Sequence, residues 1–229
     1  MNGRRDLRHL GVALLLAAVL TAMLGGCSRP ESEEGGSGGT TKLAPSEVQE
    51  YEGKRLGSVD DFRENSIKGP QQVDIDSYRL SVLGEVEKPL SLTYDQAIDR
   101  EQFEKVVRIN CVEGWSVDIL WKGVLLRDLL EAASYDPAAS TIIFRCEDGY
   151  STSLPLSFVL DRDILLAYQM NGVDLPTERG YPFQVVAEDK WGYKWAKWVT
   201  SIEVSNDSNY RGYWEQRGYD NDADLPSSK

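Results

Sequence analysis

Short apolar runs of strand-like composition, separated by turn-forming pairs, fill the chain after residue 72 and constrain its fold more than any other feature. We predict strands over 78–86, 106–110, 141–146, 164–170, 183–187 and 198–204. The pairs Asp148-Gly149 and Asn171-Gly172 are typical of tight turns, and the second lies between apolar runs as in a β-hairpin. Runs this short and this frequent predict a domain built mainly from strands.

Helical spacing is confined to three short pieces of the sequence. Thr93 and Gln96 have the spacing of a capping box, which predicts a short helix ending near Ile98. Good helix formers at helical spacing predict a second helix over 125–133, and a third is expected over 154–160. Many strands with a few short helices predict an α+β domain with mixed sheets.

The first 27 residues have the composition of an export signal. Three arginines near the start precede an apolar run from Leu10 to Leu24, which is short for a membrane-spanning helix. The run ends at Leu24-Gly25-Gly26-Cys27, which resembles a bacterial lipobox and predicts lipidation of Cys27. An ordinary signal peptide with an unrelated cysteine is the alternative. The pair Arg4-Arg5 leaves both the twin-arginine route and the general secretory route open.

Composition divides the rest of the chain into a leader, one domain and a tail. Residues 28–72 are predicted as a flexible tether and leader, because the stretch from Ser28 to Thr41 has no apolar residue to bury. Residues 73–220 carry the globular pattern, and residues 221–229 are a polar tail. A formal charge of −12 argues against nucleic acid as a partner. We therefore predict a lipid-anchored protein on the extracytoplasmic face of a cell membrane, in a periplasm or at the cell surface.

Cysteine and histidine usage narrows the chemistry. After Cys27, only Cys111 and Cys146 remain, and the single histidine of the chain is His9 in the predicted signal. A mature chain without histidine argues against zinc-hydrolase and Ser-His-Asp catalysis, since both rely on imidazole. Two cysteines in an exported protein permit one disulfide. Cys111 is therefore either half of a disulfide or a soft, anionic metal ligand.

The residues around and after Cys111 resemble a known family over about residues 75 to 220. The matching segments are Cys111-Val112-Glu113, Trp115-Ser116, Trp121, Gly123, Leu126, Leu129-Leu130, Gly180-Tyr181-Pro182-Phe183-Gln184-Val185-Val186, Trp191-Gly192-Tyr193-Lys194, Lys197-Trp198-Val199 and Gly212-Tyr213-Trp214-Glu215. This ordered set is similar to the sulfite oxidase-like molybdopterin-binding domain, and within it to the catalytic subunits of the periplasmic methionine sulfoxide reductase type. The resemblance implies that fold for residues 73–220.

The resemblance also implies a molybdenum–molybdopterin cofactor and residues that hold it. Cys111 corresponds to the cysteine whose thiolate binds molybdenum next to the dithiolene of the pyranopterin. The other implied cofactor-binding positions are Asn110, Cys146, Arg179, Gln184, Gly192, Tyr193 and Lys194. Among them, Gly192 would allow close backbone approach and Lys194 would supply charge to the cofactor phosphate. The residues alone leave open a strand end for Asn110, a buried core role for Cys146 and a surface hairpin for the segment around Lys194.

Several positions depart from the pattern of the family. Gln184 stands where the family has an arginine that helps to bind the cofactor, and Arg179 stands where relatives carry an asparagine. Relatives also use an N-terminal segment containing an asparagine, which the sequence does not let us place. Glu113 lies where sulfite oxidases have Gly-Asn-Arg-Arg-type residues, so its charge argues against dianionic sulfite as the substrate.

The function implied by the resemblance is that of an exported, membrane-anchored oxidoreductase that transfers an oxygen atom. Reduction of a small S-oxide or N-oxide is the expected direction. The sequence has no motif for haem or an iron–sulfur cluster, so a separate electron-transfer protein, a cytochrome or a membrane quinol subunit, is expected. The alternative is a binding or scaffolding lipoprotein that keeps the fold without the cofactor, which the glutamine at position 184 favours.

Overall fold

The computed structural model describes residues 47–226 of the chain. The predictions of an export signal, of lipidation at Cys27 and of a tether over 28–41 concern residues outside this range. Twelve strands are present among the described residues: β1 (Glu50–Tyr51), β2 (Lys54–Arg55), β3 (Leu80–Gly84), β4 (Leu90–Leu92), β5 (Phe103–Asn110), β6 (Ser116–Leu125), β7 (Thr141–Cys146), β8 (Ser151–Pro155), β9 (Leu165–Met170), β10 (Val173–Asp174), β11 (Gln184–Val186) and β12 (Val199–Ser205).

Three α-helices and three 3-10 turns connect these strands. The helices are α1 (Tyr94–Ile98), α2 (Leu126–Ala132) and α3 (Leu156–Asp161), and the 3-10 turns are Thr177–Arg179, Gly192–Lys194 and Glu215–Arg217. The capping box predicted for α1 is confirmed, because the Thr93 side chain accepts from the Gln96 backbone N–H and the Gln96 side chain accepts in return. All three predicted helices are thus present.

Two five-stranded sheets form the body of the domain. In the first sheet the order is β10-β9-β6-β5, with β11 also paired to β9, and every pairing is antiparallel. In the second sheet the order is β4-β3-β12-β7-β8, where β3 and β12 are parallel and the other pairs antiparallel. The α+β class with mixed sheets is therefore confirmed.

One cluster of buried apolar side chains contains residues of both sheets. Val107 and Ile119 belong to it from the first sheet, and Phe144 and Ile202 from the second. None of the helices described between residues 47 and 226 is long and apolar enough to cross a membrane. The core holds the ends of β5, β7 and β11 in place, and these ends deliver the residues of the candidate site.

The strand β6, which is ten residues long, is not among the predicted strands. Its central residues Ile119, Leu120 and Trp121 are all buried. A strand buried on both faces loses the alternation of apolar and polar residues on which sequence prediction depends. The short strand β8 escaped prediction as well, because Ser151, Thr152 and Ser153 look like a polar loop in the sequence.

The segment before residue 73 packs on the domain, whereas the sequence predicts a tether and leader up to residue 72. The carboxylate of Glu47 is buried and accepts hydrogen bonds from the Ser58 hydroxyl, the Val59 N–H and the Asn171 side-chain amide. Leu56 and Ser58 are buried as well. Residues 47–72 therefore form part of the folded unit, and they reach the candidate site.

Candidate active site

A partly enclosed cavity of about 270 Å³ lies where several loops meet at the ends of the strands. Its walls come from six stretches of the chain, which are 62–67, 109–115, 148–150, 179–184, 192–198 and 214–219. Aromatic rings form much of the surface, and Cys111 is one of the lining residues. Cavities of this kind, largely apolar with a few convergent polar groups, are the usual binding sites for cofactors and small substrates.

Cys111 lies directly after β5, at the start of a tight loop. The Cys111 N–H donates to the Trp115 carbonyl (2.9 Å), and the Gly114 N–H donates to the Cys111 carbonyl (3.0 Å). Gly114 has a φ of +87°, which glycine adopts without strain and which closes the loop within five residues. The thiol is free and largely buried. Burial, with a smaller contribution from the charge of Glu113, raises the pKa of the Cys111 thiol.

The carboxylate of Glu113 lies close to this thiol. Glu113 Oε2 is 4.0 Å from Cys111 Sγ and accepts a hydrogen bond from the indole N–H of Trp115 (3.2 Å). Its other oxygen accepts from the Asn65 side-chain amide (3.2 Å). Asn65, which also lines the cavity, lies in the segment that the sequence predicts as part of the leader. A negative charge is fixed beside the candidate metal ligand.

Two cations line another part of the wall. The Arg179 guanidinium donates to the carbonyls of Val59 (3.1 Å) and Phe62 (3.0 Å) and stacks 4.7 Å from the centre of the Phe62 ring. Lys197 Nζ donates to Glu64 (3.0 Å) and lies 4.4 Å from the centre of the Trp198 ring. Burial lowers the pKa of both groups. Held charges of this kind are suited to an anionic group such as a phosphate.

Gln184 and Gly192 complete the part of the cavity that lies between the strand ends. The Gln184 side chain is 3 % exposed and lines the cavity. It makes no side-chain hydrogen bond to any residue in the described part of the chain, so its amide is free to bind a ligand. Gly192 lies against the end of β5, and a Cβ at this position would come within 3.3 Å of the Asn110 carbonyl. A glycine here lets the backbone of the Gly192–Lys194 turn approach Cys111.

Most of the cofactor-binding positions that the resemblance implies line the cavity, and three lie outside its lining. The lining positions are Cys111, Arg179, Gln184, Gly192 and Tyr193, and those outside are Asn110, Cys146 and Lys194. Asn110 ends β5 and pairs with Trp191 as an isolated parallel bridge. Cys146 ends β7, and burial raises its thiol pKa well above the ordinary value. Both cysteines are free, so the structure does not contain the disulfide that the sequence left open.

Lys194 is not placed to supply charge to a ligand in the cavity. Its ammonium group is fully buried and donates to the carboxylate of Glu215 (2.6 Å) and to the Ser153 carbonyl (3.0 Å). The 3-10 turn Gly192–Lys194 buries this side chain, whereas Lys197, three residues later, lines the cavity. Of these two lysines, only Lys197 therefore lines the cavity.

Several further lining residues have no site role among the sequence-based predictions. They are Phe62, Arg63, Asn65, Asp148, Tyr150, Lys197, Trp198, Trp214 and Tyr219. Lys197, Trp198 and Trp214 fall within the segments that carry the resemblance, so a signal was present but did not say which side chains face the cavity. Residues 62–65 lie outside these segments, in the stretch that the sequence predicts as leader, so no such signal was present for them.

Comparisons with known proteins agree with this geometry. Residues 67–214 match the family described as oxidoreductase molybdopterin binding domain. The chain is 35% identical to the uncharacterized oxidoreductase YuiH of Bacillus subtilis, over 66% of this chain and 76% of the relative. It is also 35% identical to a putative protein-methionine-sulfoxide reductase subunit, YedZ1 of Azospira oryzae, over 65% of this chain and 56% of the relative.

A solved structure shows the same fold. The sulfane dehydrogenase SoxCD from Paracoccus pantotrophus superposes with a TM-score of 0.58 at 25% sequence identity. The match covers 61% of this chain and 41% of that protein. The chain therefore spans less than half of this neighbour and just over half of the Azospira relative.

The residues that line the cavity fit a molybdopterin. Cys111 offers a soft sulfur ligand for the metal. Arg179 and Lys197 offer positive charge for a phosphate, and the free amide of the buried Gln184 offers a hydrogen-bonding partner for a polar ring edge. The buried rings of Trp195 and Trp198 in the wall suit a flat heterocycle. The chain belongs to the oxidoreductase molybdopterin-binding domain family and is a molybdopterin-dependent oxidoreductase that uses the molybdenum cofactor.

Proposed function

We propose that this enzyme reduces neutral S-oxides, taking one oxygen atom from the substrate. In the overall change the S-oxide takes up two electrons and two protons, the sulfur–oxygen bond breaks, and a thioether and one water are formed. A separate protein supplies the electrons. The observation that carries the proposal is the carboxylate of Glu113, which lies 4.0 Å from Cys111 Sγ at the cavity wall. A fixed negative charge there disfavours a dianion such as sulfite and tolerates a neutral oxo-substrate.

Each group of residues in the site has its own role in the proposed reaction. The bound cofactor supplies the exchange of an oxygen atom and two electrons. Cys111 ligates the metal, and Arg179 and Lys197 hold the anionic end of the cofactor. Aromatic rings line much of the cavity, and Glu113 places a negative charge beside Cys111, on a wall that also carries Arg63. This division explains why a chain without histidine in residues 47–226 can carry the reaction.

Relatives support the direction and the need for a partner. The Azospira relative is named as a subunit of a putative protein-methionine-sulfoxide reductase, and its name therefore refers both to an S-oxide and to a multi-subunit enzyme. We propose the same reaction class here and a separate electron-transfer protein, a cytochrome or a membrane quinol subunit, as the electron donor.

Turnover of the cofactor-loaded protein tests this function. The protein, purified from a host that makes the cofactor, is assayed with a reduced viologen dye and an S-oxide, and in parallel with sulfite and an oxidising dye. We expect S-oxide reduction, one molybdenum per chain by mass spectrometry, and loss of both in Cys111→Ser. Cys146→Ser is the matched control, since Cys146 is also a buried, free cysteine but does not line the cavity. Sulfite oxidation without S-oxide reduction would overturn the proposal.

We further propose that the protein is exported and anchored by lipid at Cys27. The lipobox-like Leu24-Gly25-Gly26-Cys27 and the apolar run before it support this placement. Labelled palmitate fed to expressing cells is expected to appear in the wild type and not in Cys27→Ala, which should leave the membrane fraction. A labelled Cys27→Ala protein that stays with the membrane would contradict the assignment.

A further inference from the structure

Two exposed apolar side chains stand at the cavity. Among the described residues, the large hydrophobic side chains with high exposure are Leu83 (37 %), Val112 (47 %) and Tyr219 (37 %). Val112 and Tyr219 line the cavity that contains Cys111, whereas Leu83 lies on β3 and does not. A single exposed apolar residue needs no explanation, but two in the lining of one cavity offer apolar area to a ligand bound there.

The aromatic part of this rim is held in place by neighbouring rings. The centre of the Tyr219 ring is 5.2 Å from that of Trp214 and 5.2 Å from that of Tyr193. The Tyr219 N–H donates to the Trp214 carbonyl (3.2 Å). All three residues line the cavity. The ring of Tyr219 is therefore positioned before any ligand arrives, which reduces the entropy lost on binding.

The segment that carries these rings is fastened to the rest of the domain by a buried ion pair. Glu215, which follows Trp214, accepts from Lys194 Nζ (2.6 Å) and from the Thr152 hydroxyl (2.6 Å). Both side chains of the ion pair are fully buried. The Trp191 N–H also donates to the Ala223 carbonyl (2.9 Å), beyond Tyr219. Contacts at Glu215 and at Ala223, before and after Tyr219 in the chain, therefore hold the segment that carries the aromatic rings.

The chemistry of the rim suits a thioether-forming substrate. The apolar carbon of an organic substituent loses water-exposed area on this surface, and an aryl group can also pack against the Tyr219 ring. The nearby carboxylate of Glu113 disfavours anions, so the group that the rim accepts is a neutral one. The rim is defined here as Val112, Trp214 and Tyr219.

We infer that the rim holds the organic substituent of the S-oxide and sets the preference of the enzyme for substrates with an aromatic or larger aliphatic group. This inference rests on the proposed function, because it names the substrate class of the same site. It predicts that methyl phenyl sulfoxide is reduced with a higher kcat/KM than dimethyl sulfoxide, by about tenfold. The gain should lie mainly in KM, since the rim binds a part of the substrate that does not react.

The test compares both sulfoxides in the cofactor-loaded wild type and in Tyr219→Ala, Val112→Ala and Tyr219→Phe. We expect Tyr219→Ala to reduce the kcat/KM ratio between the two sulfoxides about fivefold, through a change in KM. The variant Tyr219→Phe keeps the aromatic ring and should keep the wild-type ratio. Leu83→Ala is the matched control, because its exposure equals that of Tyr219 and it lies outside the cavity lining. Thermal unfolding of each variant establishes that the fold is kept.

A binding measurement separates failure of this inference from failure of the proposed function. Methyl phenyl sulfone has the shape of the substrate, and its binding to the loaded protein is followed by tryptophan fluorescence without turnover. A Kd several-fold weaker in Tyr219→Ala than in wild type supports the rim, even if no sulfoxide is reduced. An unchanged Kd, or an unchanged preference between sulfoxides in both alanine variants, overturns the inference while S-oxide reduction itself can stand.

Discussion

At the scale of the residue, Arg179 and Lys197 are two cations of the cavity wall that hydrogen bonds hold in place. We expect Lys197→Met to lower the fraction of chains that carry the cofactor, because a half-buried cation on the cavity wall is lost. The pterin released on denaturation and oxidised to a fluorescent form measures that fraction. Lys105→Met is the control, since Lys105 is also a half-buried lysine in an ion pair (2.8 Å to Glu188) but is outside the cavity lining. Equal pterin content in the two variants would contradict the assignment.

Lys194 has a structural role, and its loss should therefore affect the free energy of unfolding. Removing one partner of a buried ion pair leaves the other charge without compensation, which costs about 3 kcal/mol or more. We expect Lys194→Met to be destabilised by that amount in urea unfolding. The double variant Lys194→Met with Glu215→Leu should recover part of the loss, because neither charge then remains buried. A single variant as stable as the wild type would show that the pair is dispensable.

The charge of Glu113 should set the response of the enzyme to anions. We expect Glu113→Gln to bind sulfite about fivefold more tightly as an inhibitor of S-oxide reduction, an effect of about 1 kcal/mol for an exposed charge at this distance. Inhibition constants at low ionic strength measure the change. Asp118→Asn, at an acidic position paired with Arg108 and outside the cavity lining, is the control. Equal inhibition constants in Glu113→Gln and wild type would remove the basis for a neutral substrate.

The sequence predicted the position of Cys111 because an apolar strand, a turn and aromatic residues frame it in a fixed order. It did not distinguish Lys194 from Lys197, because Lys194 ends a 3-10 turn and irregular chain leads from there to Lys197. No regular periodicity applies there, so spacing alone does not show which ammonium group faces the cavity. Asn65 was missed for another reason: it comes close to Glu113 only through a contact 48 residues away in the chain.

At the scale of the element, the turn between β9 and β10 joins three parts of the fold. Asn171 has a φ of +49° in the predicted Asn-Gly turn, and its side chain accepts from the Leu120 N–H (3.1 Å). The same side chain donates to Glu47 (3.1 Å) and to the Gly57 carbonyl (2.7 Å). One amide therefore ties the segment 47–57 to β6 and to the hairpin.

We expect Asn171→Ala to lower the free energy of unfolding by about 3 kcal/mol. The change leaves buried hydrogen-bonding groups without partners and places alanine in the left-handed region. Urea unfolding measures the loss, and faster proteolysis within residues 47–72 should accompany it. Asn209→Ala, at an exposed asparagine, is the control. A loss below about 1 kcal/mol would show that the segment is held by other contacts.

Elements with a clear local signal were predictable, and elements defined by long-range pairing were not. The capping box of α1, the helix α2 and the strands β7 and β9 follow from local patterns of apolar residues and caps. The two-residue strands β1 and β2 pair only with each other. They carry no periodicity, so the sequence could not separate this packed segment from a tether.

At the scale of the whole molecule, buried phenols should make the fold sensitive to alkali. Burial raises the pKa of Tyr193 to about 12 and raises the pKa values of Tyr78 and Tyr150 as well. An unfolded tyrosine ionises near pH 10, so the unfolded chain loses these protons first. Stability from these groups is complete below about pH 10 and is lost as the pH rises through 12.

Urea unfolding between pH 8 and pH 11.5 measures this dependence. We expect the free energy of unfolding to fall steadily above about pH 10, and Tyr78→Phe to reduce the slope, since its hydroxyl is buried against the Val199 carbonyl. A stability that stays flat up to pH 11.5 would contradict the alkaline sensitivity.

The cavity takes walls from residues 62–67, near the start of the described domain, and from residues 214–219, near its end. Residues 214–219 are synthesised only after all strands of the two five-stranded sheets, since the last of these strands, β12, ends at Ser205. A chain that ends before Trp214 therefore lacks one wall of the cavity, and the cavity is complete only in a chain translated through Tyr219.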